Sequence, residues 1–392
     1  MTITIIGGGI IGATLALALS RFSQGTMKIN LVEMQALENN DHPSFEVGSI
    51  ALAYGTCSEL NTIGIWDTLS SYTTPIHRVE VSEKSNINKV HISASDYHLP
   101  ALGYVIKMHD FKKLLFKLLQ QASGIFLHCP AQLTNISREQ TRTIIKLNNG
   151  KLFNAQLVAA ADGSQSSVAT LCGIHWQEKD YQQTAVIANI NTELPHKGNS
   201  FECFTTYGPI AMLPISGGYS ALIWCIPTKY RAEISLWNEI EFCQALQLAF
   251  GWRLGHIIST SQRKYYPLCL KIAKRHITHR LALVGNAAQT LHPIAAQGFN
   301  LGIRDVMTLA EILSNTAIQG KDIGNYDILL NYQQRRRLDQ SSTVAVTDGL
   351  IRLFSSIHFP FIVSRNLGLL AMAHIPPLRD ILVHKMLGWI SR

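Results

Sequence analysis

A short β-branched run, Ile3 to Ile6, ends on Gly7-Gly8-Gly9-Ile10-Ile11-Gly12, and Ala13 to Leu19 then has helix-forming composition. The run reads as a buried parallel strand. Glycine is demanded at three places after such a strand: in the tight turn, where backbone approaches a diphosphate, and where the helix packs on the strand. The helix N-terminus adds unpaired N–H groups and a partial positive charge. Lys28 to Glu33 reads as a second strand, and Glu33 stands 21 residues beyond Gly12, where a carboxylate accepts from ribose hydroxyls. The competing reading is a bare β-turn beside a solvent-facing Glu33. This loop alone does not say which dinucleotide is bound.

Two further segments repeat the theme. Leu157 to Ala161 is an apolar strand ending on Asp162-Gly163, with a plain strand-to-helix turn capped by Asp162 as the simpler reading. Leu281 to Val284 breaks at Gly285, passes Asn286 and the turn His292-Pro293, and restarts as a helix from about Gly298 to Leu313. Backbone in such a segment can touch a flat anionic ligand at two places. His292 reads first as a structural histidine and only second as a catalytic one. Asp305 reads as a helix-surface or domain-contact residue.

Composition narrows the partners. At 392 residues the chain exceeds one ordinary core, so two domains are expected. Hydrophobic residues make up 47% and charged residues 15%, against roughly 25% charged in an average soluble domain. The deficit points to a large buried fraction or to surface that meets lipid or protein. A net charge of +8 favours anionic partners, but no Lys/Arg stripe with interleaved aromatics supports nucleic acid. The seven cysteines are scattered without a C-x-x-C pair, so no disulfide framework and no metal site is expected. No signal peptide is visible and no uncharged stretch reaches the ~20 residues of a membrane span. A cytoplasmic protein is expected.

With these segments in hand, the chain resembles the FAD-dependent aromatic hydroxylases, and within them the ubiquinone-biosynthesis hydroxylases acting on polyprenylated methoxyphenols. The resemblance covers nearly the whole chain. It implies an α/β fold in which a Rossmann-like FAD-binding domain (1–70, 100–175 and 275–340) is interleaved with a mixed-sheet substrate domain (71–99 and 176–274), followed by a helical C-terminal segment (341–392). It assigns cofactor contacts to Gly7, Gly9, Ile11, Gly12, Glu33, Asp162, Gly285, Asn286, Gly298, Phe299 and Asn300. It sets His292, Pro293 and Gln297 nearest the reacting carbons. FAD and NAD(P)H are the implied cofactors, and a polyprenylated phenol and O2 the substrates. The absence of a second G-x-G-x-x-G fits transient nicotinamide binding.

Several positions depart from the family pattern. Asn286 stands where the family has an acid, Ala169 and Gly48 where it has arginines, and Lys107 in place of a further arginine. Ala296-Gln297-Gly298 replaces Gly-Gln-Gly, a change that costs little unless the backbone at 296 has positive φ.

The remaining expectations come from pattern. Thr184 to Asn191, Ser200 to Thr205, Ala211 to Pro214 and Tyr219 to Cys225 read as strands, and Ser235 to Phe250 as one helix. Phe204, Tyr207, Met212, Pro214 and Trp224 are candidates to line the substrate pocket or to fill the core. The C-terminal part, with Arg352, Arg365, Arg379, Lys385 and Arg392, reads either as a basic amphipathic surface for the inner face of a membrane or as a helical cover on the body. A ubiquinone-biosynthesis assembly is a further expected partner. A reductase or epoxidase on the same fold, or a non-catalytic subunit, stays open at this point.

Overall fold

The computed structural model of the chain describes residues 1–35, 48–84, 89–205, 207–355 and 359–389. Arg392 lies outside the described residues.

One layer is a six-stranded sheet in the order Ile277–Thr278, Leu281–Leu283, Leu157–Ala160, Thr2–Ile6, Lys28–Val32 and Ile125–His128. All neighbours are parallel except the edge pair Ile277–Thr278 with Leu281–Leu283. Such strands are covered on both faces, which explains their unbroken apolar runs. Ile3, Ile5, Leu157 and Ala159 pack with Leu15, Leu19, Ile303 and Leu309 of the helices Ile10–Phe22 and Gln297–Ile318. The opposite face meets a three-stranded sheet through Ile6, Val158, Leu133 and Ile145. Full burial of each large aliphatic side chain here stabilises by roughly 1.5–3 kcal/mol.

A second, nine-stranded mixed sheet stands apart from the first. Its spine is the 17-residue strand Trp176–Thr192, much longer than the apolar stretch from Thr184 to Asn191. The extra half is polar and is held by pairing with Lys264–Ala273 rather than by burial, and the register shifts between Asp180 and Gln183. The expected helix from Ser235 to Phe250 is two helices, Arg231–Leu236 and Glu239–Phe250. Asn238 breaks it: its side chain accepts from the Glu241 N–H while Glu241 accepts from the Asn238 N–H, a reciprocal cap that starts a new helix.

The C-terminal part folds as helices Tyr326–Ser355, Phe359–His374 and Pro376–Met386. It is pinned to the body by Arg365 on Glu83 at 2.6 Å and by the Tyr97 hydroxyl on Asp380 at 2.7 Å. Helix Tyr326–Ser355 is tied to helix Gln297–Ile318 where Arg304 and Arg336 share Asp339 and Arg336 also reaches Asp305 at 2.7 Å. Burial alone would raise the Asp339 carboxyl, but Arg304 and Arg336 outweigh it and hold it below the usual range.

Candidate functional site

Three strands adjacent and parallel in the first sheet, Thr2–Ile6, Leu157–Ala160 and Leu281–Leu283, run out at the same edge. Each continues into one of the glycine bends. In an open α/β sheet the carboxyl edge of the strands is where ligands bind. The bends touch one another: a Cβ on Gly7, whose φ is +100°, would lie 2.5 Å from the Ala161 carbonyl oxygen, and one on Gly285 would lie 3.1 Å from Ile11 Cγ2. Gly12 has no room either, because its Cβ would collide with the Gly7 carbonyl.

Above this edge lies a cleft of about 420 Å³. Gly9 and Ile11 of the first bend, Gly163 of the second, and Gly285, Asn286, His292, Pro293, Gly298 and Phe299 of the third all line it. Gly9 and Gly163 have no atom within 4 Å of where a Cβ would stand, so the backbone is open to a ligand at both. The helices starting after Gly9 and Ala296 have neither a side-chain cap nor an acid in the first turn, so an anion at either end meets no competing carboxylate there. The residues present therefore fit a dinucleotide: Gly9 and the first helix would hold its diphosphate, and the third bend would hold its ring.

The other expected site residues sit around this cleft in different ways. Gly7 and Gly12 form the turn beneath Gly9. Glu33 approaches Gly8 so closely that its Oε2 accepts from the Gly8 N–H at 2.6 Å, and its Oε1 accepts from Gln35. Asp162 Oδ2 accepts from the Val168 N–H at the start of the short helix Ser167–Leu171, and its Oδ1 is buried without a partner among the described residues. Asn300 does not reach the cleft. Its amide accepts from Ala53 N–H and donates to the carbonyls of Ala51 and Ala296, tying the helix to the strand Ser49–Ala53. Gln297 lines two smaller cavities behind the cleft.

His292 is buried at 1% exposure, with Nε2 against Gln183 Oε1 at 3.0 Å and Nδ1 accepting from the Ile294 N–H. That pattern fixes the Nε2–H tautomer. Burial pushes its pKa down to about 4. The ring is thus neutral, with both nitrogens engaged in holding the turn. The Pro293 carbonyl accepts from the Ala296 N–H at 3.0 Å. Ala296 itself has φ +49°, so the substitution for glycine carries left-handed strain of about 1 kcal/mol.

Two residues escaped the sequence. Gly8 is required by the approach of Glu33, since a Cβ there would lie 2.7 Å from Glu33 Cβ; the run of three glycines was its signal. Lys112 lines the cleft one turn after Met108 on the helix Met108–Gln121, and Lys107 only begins that helix. Parity decides between the two readings of the second sheet. Met212 and Trp224 pack under the second sheet against Phe242, while Leu213 and Ile223, one residue along, face the cleft. Tyr207 is half exposed.

The comparisons agree with this geometry. The family model described as FAD binding domain matches residues 1–347. The chain belongs to that FAD-binding family. Ubiquinone hydroxylase UbiL of Rhodospirillum rubrum is 33% identical over 390 residues, covering 99% of this chain and 90% of that protein. The 3-demethoxyubiquinol 3-hydroxylase of Escherichia coli is 30% identical over 370 residues, 94% of each. Among solved structures, p-nitrophenol 4-monooxygenase PnpA from Pseudomonas putida superposes over the full length of both chains with a TM-score of 0.80 at 16% identity, a likeness of fold. As a member of this FAD-binding family the chain is a flavin-dependent monooxygenase of the ubiquinone-hydroxylase type.

Proposed function

We propose that this enzyme hydroxylates the ring of a polyprenylated methoxyphenol, of the 2-octaprenyl-6-methoxyphenol type, using O2 and NAD(P)H. One observation carries the reading: the cleft at the sheet edge is closed on its far side by hydrocarbon, Leu213 and Ile223, and adjoins apolar cavities through Ala51, Leu213 and Ala296. FAD, when bound and reduced by NAD(P)H, supplies O2 activation, placing one oxygen atom on the ring and releasing the other as water.

The chain's own residues position and shield. Gly9 and the N–H groups after it bind the diphosphate, and Lys112 adds positive charge to the cleft. Glu33, oriented by Gly8, accepts from the ribose. Gly298 and Phe299 bring the N-terminus of the long helix to the edge where negative charge collects. Ile50, Leu213, Ile223 and Phe299 exclude water from the reacting carbons. His292 and Asn300 hold the turn and the strand in place, so Pro293 and Gln297 meet the ring from a fixed backbone. In this reading no metal takes part.

The C-terminal helices support peripheral contact with the inner face of a membrane. Their inner side is packed through Val383 and Leu387, while Leu367, Leu370, Ile375, Leu378 and Ile381 stay exposed beside Arg379 and Lys385. No described helix is long and apolar enough to cross a bilayer. The groove along Glu239–Phe250, where Ile240, Leu248 and Trp252 are exposed, is the surface that supports membership of a ubiquinone-biosynthesis assembly.

The test is turnover of a short-chain 2-prenyl-6-methoxyphenol under ¹⁸O2 with NADH or NADPH. Mass spectrometry should find one ¹⁸O in the ring. Reduction or epoxidation of the prenyl chain, or H2O2 without oxygenated phenol, would overturn the reading.

A further inference from the structure

We propose that the cavity beneath the C-terminal helices is a binding site for the substrate's linear isoprenoid chain, which leaves the protein between helices Tyr326–Ser355 and Pro376–Met386. The inference rests on the prenylphenol reading and adds the path of the tail.

Two cavities follow the flavin cleft in series. The first, about 90 Å³, shares Ala51, Leu213 and Ala296 with the cleft. The second, about 80 Å³, shares Ile92, Glu202, Gln297, Val383 and Met386 with the first. Shared walls make them neighbours in a line that starts beside the third bend and ends under the C-terminal helices.

Their chemistry changes along that line. Ser200, Glu202, Gln297 and Asn300 put polar groups around the first cavity, where the substituents of a phenol ring would lie. Beyond it, the wall is hydrocarbon from three sources: Val81 of the second sheet, Leu350 and Phe354 of Tyr326–Ser355, and Met372 and Leu382 of the last two helices. Phe204 stacks on Phe354 with ring centroids 3.5 Å apart and forms the floor. Arg379 and Lys385 also line this cavity, on the element whose outer face exposes Leu378 and Ile381.

A first cavity that carries polar groups and a hydrocarbon second cavity roofed by helices with an exposed apolar outer face match one ligand class, an amphiphile with a ring head and a long branched-hydrocarbon tail. Unbranched Met372 and Met386 can change rotamer to admit successive units. Removing such a tail from water is itself the driving force, without directional contacts. Glu202 and Gln297, which line both cavities, would stand between head and tail and set the ring's depth.

The experiment uses the full-length FAD-loaded enzyme and a farnesol carrying a diazirine at its terminal unit, photolysed and mapped by peptide mass spectrometry. Labels are expected on residues 346–354 and 372–386, removed by excess geranylgeraniol. Leu350→Trp, which fills the second cavity, should cut labelling by about tenfold, with bound-flavin absorbance reporting that the variant is folded. Labels confined to the cleft mouth or to the groove around Trp252, or unprotected by geranylgeraniol, would overturn the site. Ring oxygenation is read separately: cavity labelling without ¹⁸O incorporation removes the prenylphenol reading and keeps the hydrocarbon site, and the reverse pattern removes only the site.

Discussion

Ile11 lies so close to Gly285 that a Cβ on that glycine would stand 3.1 Å from Ile11 Cγ2, and this contact joins the first ligand bend to the third across the edge of the sheet. Gly302, one turn into the long helix, faces the same side chain, with its Cβ position 2.9 Å from Ile11 Cδ1. Ile11 is thus a spacer between two bends 274 residues apart in the chain. Because Gly285 also has φ +59°, Gly285→Ala combines left-handed strain with a tight contact. Urea denaturation of the apoprotein should show a loss of about 1–2 kcal/mol, together with weaker FAD binding. An unchanged midpoint and unchanged FAD affinity would contradict the contact.

Ala296 makes the opposite prediction. It holds a left-handed conformation that glycine adopts freely, so Ala296→Gly should stabilise the protein by up to about 0.5 kcal/mol after the entropy of the more flexible unfolded chain is set against the strain relieved. A rise in thermal midpoint checks it, and a fall would mean that the turn is not strained.

The His292 prediction concerns pH. Its folded pKa, about 4, lies below the ordinary 6.5, so the folded state resists protonation. Its contribution is complete above about pH 6.5 and is lost as pH falls toward 4, amounting to about 3 kcal/mol in all. Stability measured at intervals between pH 7 and 4 should therefore fall less steeply in His292→Gln than in the parent. Parallel curves would remove the assignment of a buried neutral imidazole.

Asp305 is fully buried and accepts from Gln289, Arg336 and Gln340, so it links the third bend to helix Tyr326–Ser355. Asp305→Ala leaves the Arg336 guanidinium without one of its two carboxylates. A loss of about 3–5 kcal/mol is expected by chemical denaturation. A loss below about 1 kcal/mol would show that Asp339 alone suffices.

The first layer of the fold was legible because physics writes it locally. Ile3 to Ile6, the spaced glycines and Glu33 each obey a short-range rule, and the observed strands Thr2–Ile6 and Lys28–Val32 match that reading closely. The second sheet was harder. The polar half of Trp176–Thr192 is a strand only because Lys264–Ala273 pairs with it, and no local pattern announces a partner some 90 residues away. Face assignment stayed open for a similar reason: Met212 and Leu213 are both apolar, and only the register against Ser220–Pro227 decides which meets the cleft. The engagement of Asn300 with three backbone groups, and the left-handed φ of Ala296, are tertiary facts without a sequence signal. Lys112 was missed because a lysine one turn into an amphipathic helix looks like any solvated charge.

The central claim is that backbone left open at Gly9 receives the diphosphate of FAD. Gly9 has φ −60° and free space at its Cβ position, so Gly9→Ala should fold with a stability within about 1 kcal/mol of the parent. The measurement is a flavin-fluorescence titration of both apoproteins. The account predicts one FAD bound per parent chain and an affinity at least about tenfold weaker in Gly9→Ala; equal affinities in the two proteins, or a parent chain that binds no FAD, would contradict it.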